Sequence, residues 1–144
     1  MENKLLTITR ERIPYIPELK RKLKNTNATI LMVYFEKLFY QSEGEPFYKF
    51  LSKPLKGNIF YKQGGSWCEE LVFSEKEVRA AYKKLGISYK SKRAFEDKVD
   101  QRKNIFINEE GEEFFYCSYH DKIKGITFYH RNHVVVEELI GKLI

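Results

Sequence analysis

Cysteine is scarce: Cys68 and Cys117 are the only two in a chain of 144 residues. Two thiols are too few for the disulfide framework that small secreted domains rely on. Long apolar runs are missing as well. The longest, Ile30 to Phe35, is far too short to cross a bilayer. The first residues interleave charges with apolar positions, so no secretory signal is visible. These absences point to reduced thiols, a cytoplasmic location and no membrane partner. There is no glycine-rich phosphate loop, no G-x-S-x-G and no H-E-x-x-H, so the common enzyme signatures are absent. Neither a repeat nor a convincing linker divides the chain. One domain over 1–144 is expected, with no cofactor and no enzyme activity.

The composition that remains is globular and basic. Apolar residues make up 42%, with 11 Phe and 10 Tyr, enough for one aromatic core. Net charge is +6, which suits nucleic acid, an anionic membrane surface or an acidic protein. The most informative stretch is Ser66–Gly86. Ser66 to Glu69 and Ser74 to Glu77 each fit the capping box S-x-x-E, which marks a helix start. Two starts so close imply a short helix, a tight turn and a helix of about three turns, the outline of a helix-turn-helix. Gly86 is expected to close the second helix in a left-handed cap. Val78, Ala81, Tyr82 and Leu85 form its inward stripe, leaving Lys76, Arg79, Lys83 and Lys84 outside.

Before this segment, residues 1–16 read as an N-terminal arm with an alternating piece at Leu6 and Ile8. Pro17 opens a short basic helix, PELKRKLKN. Asn25 to Asn27 cap an apolar central helix, Ala28 to Gln41. PFYKFLSK, between Pro46 and Pro54, is expected to be helical, and Leu55 to Lys62 to hold a short strand. After Gly86 comes a charged stretch, 87–104, carrying Lys90, Lys92, Arg93, Arg102 and Lys103. Within it Ser91 caps a helix over about 92–100, with Phe95 and Val99 on one side. From Asn104 to Arg131, aromatic and β-branched runs alternate with turns at Asn108–Gly111 and Asp121–Gly125, a hairpin signal. Lys122 and Lys124 fall at the second tip. HVVVEELIGKLI closes the chain as an amphipathic helix, suited to packing on the domain or to forming a homodimer.

Two chemical alternatives arise from the histidines. Cys117-x2-His120 followed by His130-x2-His133 has the look of zinc pairs. On extended strands, however, residues i and i+3 point to opposite faces, so no metal is expected. A nuclease built from His120, His130 or His133 with Glu112 or Glu113 would need hydrogen-bond reach between those groups.

The order of signals resembles a group of phage- and plasmid-associated winged-helix DNA-binding proteins, including replication initiators and replisome organisers. The likeness rests on Asn27-Ala28 through Phe39-Tyr40, Phe60-Tyr61-Lys62, Trp67 through Leu71, Val72-Phe73-Ser74, Glu77-Val78-Arg79, Lys83 through Gly86, and Phe128 through Asn132 with Leu139. The glycine usually found before Phe73 is absent, and residues 87–104 form a charged insertion ahead of the wing. The resemblance implies an α+β fold: a winged helix-turn-helix with N-terminal helices, a C-terminal β-hairpin wing and a terminal helix. It implies double-stranded DNA as partner but no particular operator or process; replication or transcription control is the expected setting. Helix 75–85 would read the major groove, with DNA contacts from Lys76, Arg79, Lys83, Lys84, Lys90, Lys92, Arg93, Lys122 and Lys124. The alternative is a winged-helix module that binds a host protein without specific DNA binding.

Overall fold

A computed structural model describes residues 15–144, so the expected arm lies almost wholly outside the described residues. The described residues form a mixed α+β fold, six helices around one four-stranded sheet. In chain order the elements are α1 (Pro17–Leu23), α2 (Thr26–Gln41), β1 (Phe47–Lys49), α3 (Trp67–Leu71) and α4 (Glu75–Leu85). They continue with β2 (Gly86–Tyr89), α5 (Lys92–Asp100), β3 (Tyr116–Asp121), β4 (Ile126–Arg131) and α6 (His133–Leu143).

Local signals set most helix starts. Asn25 accepts from the Ala28 amide at 2.8 Å and opens α2. Ser91 does the same for α5, accepting from Ala94 at 3.1 Å. At Ser74 the capping box is complete: Glu77 N–H donates to the serine oxygen at 3.1 Å, and the Glu77 carboxylate accepts from Ser74 N–H at 3.0 Å. At Ser66 only half of a box forms. Ser66 accepts from Glu69 N–H, but the Glu69 carboxylate takes the hydroxyl protons of Ser66 and Tyr61, both at 2.6 Å. Those two bonds hold the Glu69 carboxyl below its ordinary value.

The sheet order is β1-β4-β3-β2; β4 runs antiparallel to both neighbours, and β2 lies parallel to β3. Phe35 of α2 sits on one sheet face as the hub of the core. Its ring centroid is 4.6 Å from Tyr116, 5.1 Å from Tyr129 and 4.7 Å from Trp67. The Trp67 indole donates to the Tyr129 hydroxyl at 3.0 Å, tying α3 to β4 inside the core. Every residue of the expected α4 stripe is buried there: Val78, Ala81, Tyr82 and Leu85. The other sheet face carries Tyr119 and His130, and Phe95 of α5 covers them at 4.7 and 4.8 Å. The charged insertion is therefore an ordered strand and helix, and α5 lies on the sheet face opposite α4.

Four local expectations are corrected. Gly86 is not a left-handed cap: its φ is −151°, and it opens β2 directly. Glycine is needed there because a Cβ would lie 2.6 Å from the Tyr82 ring. The left-handed turn comes earlier, at Val72 with φ 56°, between α3 and α4. PFYKFLSK is not a helix. Phe47–Lys49 pairs with β4, placing Phe47 and Lys49 on one face and Tyr48 on the other. Leu55 to Lys62 is not a strand. The Asn58 side chain accepts from Phe60 N–H at 2.8 Å, a local turn that displaces ladder pairing. Asn104 does the same to Phe106 at 2.8 Å, so the expected first hairpin shrinks to one bridge, Ile107 with Glu113. Among the described residues no helix is long and apolar enough to cross a membrane.

Candidate nucleic-acid interface

The nine cationic side chains expected to meet a partner are all exposed, but they do not form one group. On α4, Lys76, Arg79 and Lys83 share the outward sector. Lys84 stands roughly 140° around the helix from Arg79, at 3.6 residues per turn. Arg79 lies toward the sheet. It borders a groove of about 430 Å³ between α4 and the hairpin, together with Tyr82, Ser88, Ser118, His120 and Thr127. Register explains the hollow: Ser88 pairs with Ser118 and His120 with Thr127, so small hydroxyl side chains stand there, where Tyr116 and Phe47 occupy the same face farther along. His120 Nδ1 lies 3.0 Å from the Thr127 hydroxyl.

A second hollow of about 370 Å³ begins where the first ends. Ser91, Lys92 and Arg93 line it from the start of α5, and Lys122 and Lys124 from the hairpin tip. His120 borders both hollows. The carboxylate in the second hollow, Asp121, is 7% exposed. It accepts the amides of Ile123 and Lys124 at 3.1 and 3.2 Å, so its charge is directed into the turn. The structure thus joins Arg79, Lys92, Arg93, Lys122 and Lys124 through His120. Lys76 and Lys83 stay on the outer face of α4. Lys84 and Lys90 line neither hollow. From sequence alone His120 stands out only as a metal or nuclease candidate. Its place at the hairpin end, across from Thr127, was the available clue.

The start of α5 is electrostatically unusual. A helix N-terminus carries partial positive charge and favours acids. In α5 the first turn holds no acid but has Lys92 and Arg93, while Glu96, Asp97 and Asp100 lie further along. The Lys92–Glu96 pair at 3.9 Å is exposed and runs in the weaker direction for such a pair.

The other candidate chemistry does not assemble. Cys117 is buried, and burial pushes its thiol up to about 12, with Lys98 opposing weakly. Burial also raises the Cys68 thiol. Neither is a ready thiolate. His130 stacks on Phe95, and His133 Nδ1 lies 3.0 Å from Arg131. Among the described residues no three of His, Cys, Asp and Glu group to hold a metal. Glu112 accepts from Asn108, and among the described residues neither Glu112 nor Glu113 bonds a histidine.

Three ion pairs built on two largely buried cations, which the sequence did not suggest, brace this frame. Arg131 donates to Glu36 at 2.7 Å and to Glu137 at 2.8 Å, linking β4 to α2 and α6. Tyr116 also donates to Glu36, at 2.7 Å. Lys49 pairs with Glu70 at 2.7 Å and lies 5.1 Å from the Trp67 ring. Burial pushes the Lys49 ammonium down to about 8, against the pull of Glu69. No protein-family model, curated protein or solved structure matches the chain significantly.

Proposed function

We propose that this protein is a non-enzymatic, double-stranded DNA-binding protein of winged-helix type, resembling replication and transcription factors of phages and plasmids. The order α2, β1, α3, α4 and the β3–β4 hairpin supports that arrangement, with β2 and α5 as an addition. α4 is the helix that enters the major groove, and Arg79 is its base-reading residue, since its fork suits guanine O6 and N7. Lys92, Arg93, Lys122 and Lys124 hold backbone phosphate beside it, and Lys76 and Lys83 contact phosphate along the groove.

The observation that carries this reading is the basic row from Arg79 through His120 to the hairpin tip, whose one lining carboxylate is folded into a turn. Selection of bound duplexes from a random pool tests it. An enriched motif is expected, and its symmetry would report any homodimer. Arg79→Ala should cost roughly 1–3 kcal/mol on that motif and little on other sequences. Duplex binding absent at micromolar protein and low salt would leave the protein-binding module as the reading to pursue.

A further inference from the structure

At the tip of the β3–β4 hairpin, Ile123 is 99% exposed. An aliphatic side chain held fully in water gains nothing for the fold. The tip is nonetheless tightly built. Asp121 accepts the Ile123 and Lys124 amides, and the Gly125 amide donates to the Asp121 carbonyl at 2.8 Å. Gly125 takes φ 68°, a conformation that suits glycine. From outside the hairpin, Asn58 donates to the Lys124 carbonyl at 3.1 Å, and the Lys124 ammonium lies 6.0 Å from the Phe60 ring. So Ile123 is presented on a braced turn.

Its neighbours narrow what it meets. Lys122 and Lys124 flank it, and among the described exposed aliphatic residues it is the one with lysine on both sides. An apolar protein groove receiving Ile123 would strip water from two ammonium groups. A duplex offers both chemistries within one groove: phosphates along the walls for the lysines, and an apolar base stack between them. Aliphatic wedges that part a base step act in this way.

We infer that Ile123 is an apolar wedge that enters a groove of bound duplex DNA and parts one base step, held by Lys122 and Lys124 on the flanking phosphates. This rests on the duplex-binding reading above. It adds a deformed step to the recognised site, so sequences that unstack readily, such as TA and CA/TG steps, should be preferred beneath the hairpin.

The test uses the full chain and a selected duplex carrying 2-aminopurine at successive positions, with dyes at the duplex ends. The wild type should brighten 2-aminopurine at one step and shorten the end-to-end distance. Ile123→Ala should lose both signals and weaken binding roughly tenfold, the effect of failing to bury one such side chain. It should leave the salt dependence unchanged, because no phosphate contact is lost. Ile123→Met should keep the signals. Lys122→Gln should weaken binding and flatten the salt slope while the bright step stays in place. Binding without any bright step, or signals that survive Ile123→Ala, overturns the wedge and leaves DNA binding standing. Absence of duplex binding in every form overturns both readings. Wild-type binding to phosphatidylserine vesicles that Ile123→Ala abolishes, without a bright step on DNA, would assign the tip to a membrane surface instead.

Discussion

Helices α4 and α5 begin alike but differ in the charges of their first turns and in the sheet face they cover. Each is opened by a serine whose hydroxyl accepts an amide three residues on. In α4 the charges suit the helix: Glu75 and Glu77 in the first turn, Lys83 and Lys84 in the last. In α5 the first-turn charges run the other way. Helix stability alone explains Lys83 and Lys84 at the end of α4 and Arg79 beside Glu75, so their sign says little about a partner; Lys76, in the first turn, is the exception. In α5 both first-turn cations, Lys92 and Arg93, work against their own helix, while Lys98 in the last turn suits it. Lys92 and Arg93 are therefore the better evidence for an anionic partner, although α4 was the more obvious recognition element.

That contrast is most directly broken by Lys92→Glu with Arg93→Glu. The double change should lower duplex affinity by two orders of magnitude or more, since it would reverse two of the proposed phosphate contacts. It should change thermal stability little, because the gain at the α5 dipole is offset by the like-charge pairs the new acids make with Glu96 and Asp97 four residues on. Anisotropy titrations and thermal melts read the two effects; affinity unchanged by the reversal would remove α5 from the interface. At the end of α4, Gly86→Ala should destabilise by about 1–3 kcal/mol in denaturant titrations, as its methyl meets the buried Tyr82 ring. Before α4, Val72→Gly should stabilise by about 1 kcal/mol, relieving a left-handed β-branched residue that is otherwise exposed.

The smallest effect concerns the seat of α5. His130 packs against Phe95, and its Nε2 is buried without a hydrogen-bond partner among the described residues. Burial lowers its pKa from 6.5. The folded state therefore holds that proton less readily than the unfolded chain does. Its contribution to stability is complete above about pH 6.5 and is lost as pH falls from there through the depressed folded value. His130→Phe should flatten that part of the stability–pH curve, read by chemical denaturation between pH 5 and pH 8; an unchanged slope would mean that other groups set it.

What the sequence made legible follows from the range of the interaction involved. Ser74 with Glu77, Ser91 with Ala94, and the stripe Val78 to Leu85 act within one or two turns, and each appears as expected. β1 was misread as helix because its state depends on Thr127 to Tyr129, far along the chain. Lys49 added to the error: a lysine in a short run suggests a solvent-facing position, yet it is buried against Glu70 and Trp67. β2 went unseen because its partner, Tyr116 to Tyr119, lies beyond an intervening helix. The candidate site was legible as a set of cations, but their sorting was not. Which of them share a hollow depends on the sheet register and on the face that α5 takes. His120 belongs to that sorting.

Leu85 ends α4, Gly86 begins β2, and the Leu85 carbonyl accepts the Phe115 amide at 3.0 Å just ahead of β3. Helix, edge strand and hairpin thus meet without a spacer that could act as a hinge. Arg79 and Ile123 stand at the two ends of one stiff caliper. A body gripped by both must conform to its opening, so a duplex would be chosen as much by how cheaply it reaches that gauge as by the bases it displays.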